Sequence, residues 1–110
     1  RRQVADALTM PSTHALVVDA AGALIPDGPG PAADAAGFVL TRHVLDEEEL
    51  LLIAVIPPAR RQGVAAALIR HLFSAARDRG TTRIFLEMRL GNPAGHLYRK
   101  FGFEPIGERR

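Results

Sequence analysis

The apolar positions change period twice along this chain. Residues 50–56 are apolar without a break (Leu-Leu-Leu-Ile-Ala-Val-Ile), the pattern of a central strand covered on both faces. After a short basic segment, Val64, Ala65, Leu68, Ile69, Leu72, Phe73 and Ala76 recur at three- and four-residue spacing, with Arg70, Ser74, Arg77 and Asp78 on the other side. That spacing predicts an amphipathic helix of about 16 residues with one face on a sheet, and Gly80 is its natural stop. Residues 82–89 return to alternation, with Ile84, Leu86 and Met88 on one side and Phe85 and Glu87 on the other, which predicts a strand. Asn92 and Pro93 then open a second short helix as N-cap and first residue. It carries Leu97, Tyr98 and Phe101 and ends at Gly102, before a final strand over 103–107. Upstream, 3–8 reads as one or two helical turns stopped by Pro11, and 14–19 and 38–44 read as strands. Residues 22–37, rich in Gly, Pro, Ala and Asp, read as a surface loop, and 45–49, with Glu47, Glu48 and Glu49, as a solvated turn. Strands followed by strand–helix–strand–helix–strand give an α/β or α+β domain, a single one spanning 1–110.

Composition narrows the function classes. With 47% hydrophobic residues, a chain of 110 can bury one small core. No window approaches the roughly 20 apolar residues of a membrane span, and no signal-peptide apolar segment follows Arg1-Arg2-Gln3, so no membrane partner is expected. The absence of cysteine rules out disulfides, thiolate nucleophiles and Cys-based metal sites, and suits a cytoplasmic protein. His14, His43, His71 and His96 lack metal-ligand spacing, so no metal is expected. The net charge is only +2 and aromatics are 5%. Basic residues are interspersed with acids except at Arg60-Arg61 and Arg109-Arg110, which argues against a nucleic-acid partner.

Two constellations carry candidate chemistry. In Arg60-x-x-Gly63-x-Ala65, directly after the apolar strand, arginines and a glycine sit where a helix begins and backbone N–H groups lack partners, a position that favours a phosphate. Gly63 and Ala65 are small enough for close approach. No Gly-Lys-Ser/Thr follows and only one glycine is present, so neither a Walker loop nor a dinucleotide fingerprint is formed. Alone, the motif is equally a solvated basic turn. The second constellation, Glu87 on its strand and Tyr98 in the next helix, could supply a base and an acid; as two isolated residues they read more readily as a salt-bridged glutamate and a core-edge tyrosine. His96, two residues from Tyr98, is the histidine nearest this chemistry.

The order and spacing of the two constellations together resemble the GNAT superfamily of N-acetyltransferases. The segment Leu52-Ile53-Ala54-Val55-x-Pro57-x-x-Arg60-Arg61-Gln62-Gly63-Val64-Ala65-x-Ala67-Leu68 is similar to that family's acetyl-CoA-binding motif. The segment Leu86-Glu87-Met88-Arg89-x-x-Asn92, followed by Leu97-Tyr98-x-x-x-Gly102-Phe103-Glu104, resembles its second half, in the form found in bacterial ribosomal-protein-alanine N-acetyltransferases. The resemblance implies a central mixed sheet flanked by helices, splayed between the strands at 50–56 and 83–89, here without the family's first strand and helix and its last strand. It implies acetyl-CoA in the splay: backbone groups of Ile53, Ala54 and Val55 on the pantetheine arm, Arg60 and the N–H groups of Arg61, Gln62, Gly63, Val64, Ala65 and Ala66 at the pyrophosphate, and Asn92 on the arm from the other side. Glu87 is then the base that takes the amine proton and Tyr98 the acid for the leaving thiolate. The implied acceptor is a peptide or protein N-terminus, such as the N-terminal alanine of a ribosomal protein. A small-molecule amine and a non-catalytic acyl-CoA-binding module remain the alternatives.

Overall fold

The computed structural model describes residues 11–26, 34–88 and 94–104. Its four strands form one sheet in sequence order: β1 (Ser12–Asp19), β2 (Ala35–Val44), β3 (Glu47–Val55) and β4 (Arg83–Leu86). The first three form an antiparallel meander, whereas β4 lies parallel to β3. A parallel neighbour requires a crossover, and helix α1 (Val64–Asp78) supplies it. A second helix, α2 (Gly95–Lys100), follows β4.

The long helix is where its periodicity predicts it. Val64, Ala67, Leu68, Ile69, Leu72 and Ala76 are buried and form the core with Val18, Val39 and Leu50. Each large aliphatic side chain removed from water here contributes roughly 1.5–3 kcal/mol. The helix sits close on the sheet: a Cβ at Gly37 would lie 2.8 Å from the Ala54 carbonyl and 3.1 Å from the Val64 side chain. At its end Gly80 takes φ +81°, the Gly80 N–H donates to Arg77 O (3.0 Å) and the Thr81 N–H to Ala76 O (2.9 Å), the paired bonds of a Schellman stop.

Several expectations are corrected. The glutamate run is not a solvated turn. Only Leu45 and Asp46 turn the β2–β3 hairpin, with Leu45 at φ 58°, and Glu47, Glu48 and Glu49 lie in β3. Alternation then points Glu48 at α1, where it is fully buried. Thr41 Oγ1 (2.6 Å), Thr81 Oγ1 (2.9 Å) and the Arg79 guanidinium all donate to its carboxylate. Glu49 pairs with Arg42 (2.7 Å) on the opposite face.

The apolar run at 50–56 is not covered on both faces among the described residues. α1 covers one face, while Phe38 and Leu52 on the other are 38% and 48% exposed. An all-apolar run cannot by itself distinguish one covering layer from two. Finally, β4 ends at Leu86 rather than 89. The short helix starts later than expected, at Gly95 with Ala94 as its N-cap instead of Asn92. Parts of the sequence reading fall outside the described residues: the turns at 3–8, positions 27–33 of the loop, Asn92 and Pro93 themselves, and the final strand beyond 104. The loop read over 22–37 is shortened from its far end, because β2 begins at Ala35.

Candidate active site

The sheet opens where β3 outruns β4. Only four residue pairs join these strands, Glu47↔Arg83 through Leu50↔Leu86. β3 then continues to Val55, so along Leu51–Val55 its edge away from β2 has no strand partner among the described residues. Ile53, Ala54 and Val55 lie on that open edge, half-buried. Unpaired backbone donors and acceptors in an exposed row are a template for an extended chain with amides of its own. One acceptor is already taken, since Arg60 Nε donates to Val55 O at 3.2 Å.

At the start of the opening lies a residue that sequence reasoning missed. Leu40 pairs with Leu52 but Thr41 with Leu50, so Leu51 is the extra residue of a β-bulge, and its side chain is 42% exposed. A bulge leaves backbone groups out of the ladder and re-aims the strand. The only trace in the sequence is the three consecutive leucines that interrupt alternation in an otherwise ordinary apolar run.

β3 feeds a single 3₁₀ turn, Pro57–Ala59, and then the basic segment. Internal hydrogen bonding lapses here. The Arg60 N–H donates to Pro57 O (3.2 Å), and the first turn of α1 is closed by the bond from the Ala67 N–H to Gly63 O (3.0 Å). Gly63 is the N-cap of α1, at φ 81°, and no side chain caps the helix. Arg61 is also left-handed, at φ 64°, which costs a residue with a Cβ about 1–2 kcal/mol. Two left-handed residues so close together, at a helix start, turn successive N–H groups to one side as an anion-binding concavity. Space above Gly63 is open, since a Cβ built there would have no neighbour within 4 Å.

The side chains of this turn divide into two groups. Arg60 braces Val55, and Gln62 Nε2 donates to Pro58 O at 3.1 Å, so both stiffen the turn. Arg61 is exposed and places a cation beside the turn. Val64 is buried as the first core residue of α1, and Ala65 and Ala66 are half-buried; for these three the backbone N–H is the group available to a ligand.

Glu87 is exposed, one residue past the end of β4 rather than within it. The chain beyond it turns towards α2: the Met88 Cε lies 3.4 Å from where a Cβ on Gly95 would stand. Tyr98, one helical turn further, is 7% exposed and belongs to the buried cluster that includes Val64 and Leu68, against which Ile53, Val55 and Leu86 pack. Its ring meets Phe103 edge to face at 5.7 Å. Burial raises the Tyr98 phenol above its ordinary value, so the hydroxyl keeps its proton at neutral pH. His96 is exposed and its Nδ1 accepts from Arg99 at 3.4 Å. Asn92 lies outside the described residues. No group of three or more potential metal ligands occurs among the described residues, and no helix there is long and apolar enough to cross a membrane.

Comparison with known proteins gives this geometry a family. Residues 11–105 match the family model of the acetyltransferase (GNAT) domain. The ribosomal protein bS18-alanine N-acetyltransferase of Escherichia coli is 42% identical over 76 residues, which cover 68% of this chain and 51% of that protein. The streptothricin acetyltransferase of Streptomyces lavendulae is 36% identical over 81 residues, covering 71% of this chain and 43% of that one. The crystal structure of the Escherichia coli ribosomal-protein-alanine enzyme superposes with a TM-score of 0.62 at 28% identity, over 86% of this chain and 78% of that chain. The chain spans about half the length of the curated relatives it matches. The fold is thus shared with acetyltransferases, and the chain belongs to the GNAT family.

Proposed function

We propose that this protein is an acetyl-CoA-dependent N-acetyltransferase acting on a primary amine, with the N-terminal alanine of a ribosomal protein as the acceptor. The observation that carries this reading is the continuity of the open β3 edge with the uncapped turn. An extended arm bearing amides lies along Ile53, Ala54 and Val55, and its phosphates meet the N–H groups of residues 61–66 with the Arg61 guanidinium beside them. The alanine acceptor is supported by the named activity of the Escherichia coli relative. Asn92 is assigned to the pantetheine arm by the family resemblance alone.

Acetyl-CoA supplies an activated acetyl thioester, and the acceptor supplies a neutral amine. An α-amino group has an ordinary pKa of about 7.7–8.0, so modest help is enough to remove its proton. The Glu87 carboxylate, exposed and hydrated, takes that proton directly or through a water. The Tyr98 hydroxyl, kept protonated by burial, gives its proton to the departing sulfur. Holding both reactants side by side supplies much of the rate.

The cofactor half of the proposal is tested by thermal unfolding with acetyl-CoA. Ligand at 100 times its dissociation constant adds about 2.7 kcal/mol, whereas a pantetheine thioester without the pyrophosphate should add much less. An unchanged midpoint at saturating acetyl-CoA sinks the assignment. For the acceptor, mass spectrometry of ribosomal proteins is run against a panel of small amines. Acetylation confined to the amines selects the second reading, which the streptothricin acetyltransferase relative favours. Binding with no transfer to either set identifies a non-catalytic acyl-CoA-binding module.

Gly63→Val tests the turn itself. The φ of +81° is poorly tolerated by a β-branched residue, and the new side chain fills the open space above the turn. Calorimetric titration should then detect no acetyl-CoA binding, while circular dichroism shows the helix and sheet retained. Normal binding by this variant means that the turn serves structure alone.

A further inference from the structure

At the opposite end of β3, roughly 23 Å from Val55 by strand rise, a second polar group faces α1 that the acetyl-transfer chemistry does not use. The register sets His14 of β1 beside Thr41 of β2, Ser12 beside His43, and His43 beside Glu48 of β3. Arg79, just past the end of α1, and Thr81, leading into β4, close the group by donating to Glu48. The His14 and His43 rings meet edge to face, 6.3 Å apart at 73°. Ser12 Oγ lies 3.2 Å from His14 Nε2. His43 Nε2 is buried and has no hydrogen-bond partner among the described residues. The other nearby charges do not share this face: Arg42 pairs with Glu49 and Arg83 with Glu47 on the far side of the sheet, and Asp46 in the hairpin turn accepts from Thr82.

This arrangement is balanced only while the His14 imidazole is neutral. It then holds one carboxylate, Glu48, and one guanidinium, Arg79. We propose that this end of the sheet is an acid-sensitive catch: a proton on His14 sets a second cation against a single carboxylate already engaged by Arg79, and frees β1 and the C-terminal end of α1 from β2 and β3. His14 is held below the ordinary histidine value of 6.5, first by burial and then by the Arg79 charge, with Glu48 pulling the other way and His43 adding slightly to the lowering.

The sign follows from which state binds the proton. A histidine whose folded value lies below its unfolded one binds protons more readily when unfolded. Its stabilising contribution is complete above the unfolded value and is lost as pH falls through the folded one. Each such histidine changes the opening equilibrium by at most tenfold per pH unit.

The test is hydrogen exchange of the whole chain at pH 7.5 and 5.5, corrected for intrinsic rates. Opening of the β1–β2 amides should rise by up to about tenfold at the lower pH, while amides of Leu68, Ile69 and Leu72 stay protected. His14→Gln/His43→Gln should abolish the acid response, whereas His96→Gln should keep it. A response retained in the double variant, or one of equal size in the centre of α1, overturns the proposal. Should the double variant not fold, His14→Gln alone decides by the same exchange measurement: an unchanged acid response overturns the catch, and a reduced one upholds it.

Discussion

Glu48→Ala is expected to cost about 3–5 kcal/mol of folding stability, the usual loss when one partner of a buried, hydrogen-bonded ion pair is removed. The Glu48 side chain is fully buried and that of Arg79 is 23% exposed, so solvent screens the pair little. Removing the carboxylate leaves the Arg79 guanidinium and the Thr41 and Thr81 hydroxyls without their acceptor, in a gap that the alanine methyl cannot fill. Domains of this size hold only about 5–15 kcal/mol in total. The melting midpoint should therefore fall by roughly 12 °C or more, as read by calorimetry.

Glu48→Gln keeps the shape but not the charge, and should fall between wild type and alanine. The pH dependence separates charge from packing. Burial alone would raise the Glu48 carboxyl, but the hydrogen bonds from Arg79, Thr41 and Thr81, together with the Arg79 charge, outweigh it and hold the group below its ordinary 4.5. A carboxyl with a depressed folded value stabilises above its unfolded value, and that contribution is lost as pH falls below about 4.5. Wild type should lose stability through this range while the glutamine variant stays flatter. Equal slopes would mean that the pair contributes packing and hydrogen bonds but no net charge stabilisation.

Glu48 also marks the limit of what local sequence conveys. Asp46 and the three glutamates that follow it look like a solvated turn, and their charge pattern alone does not contradict that. The partner that reverses it, Arg79, is 31 residues away. The long helix lies at the other extreme. Its apolar spacing, glycine start and glycine stop are all local signals, and its bounds were legible to within a residue or two. The basic turn was legible as a helix start, but two of its details were not. Arg61 adopts a left-handed conformation that its residue type does not advertise, and Arg60 and Gln62 turn back on the chain instead of projecting outward. The opening between β3 and β4 was anticipated only through family resemblance, because strand divergence has no signature in apolar alternation. The bulge at Leu51 was missed for the same reason. Glu87 illustrates how a correct pairing of residues can carry a wrong local structure: alternation through residue 89 suggested a strand, but β3 and β4 part at Leu86, so the carboxylate sits beyond the last ladder bond.

That position determines the largest effect expected on catalysis. Under the proposed chemistry, Glu87→Gln should lower turnover by roughly 10²- to 10⁴-fold, the usual range for loss of a general base, with acetyl-CoA binding unchanged because the residue lies off the phosphate turn. The side chain is exposed and the amide keeps its volume, so folding stability should stay within about 1 kcal/mol of wild type, the usual worth of an exposed charge interaction. The defect should shrink as pH rises past the amine's own value near 8, where the acceptor is already deprotonated. A defect that persists undiminished at pH 9.5 would make Glu87 a positioning residue for the amine instead of its base. Tyr98→Phe probes the other proton. It removes only the hydroxyl, so the ring should keep its edge-to-face contact with Phe103 and the KM for acetyl-CoA should hold while kcat falls. Full activity on a peptide with a free N-terminal alanine would show that the sulfur leaves without Tyr98. His96, exposed on the same six-residue helix, is then the side chain to replace next, and combining His96→Gln with Tyr98→Phe separates a substitute donor from a thiolate that departs unprotonated.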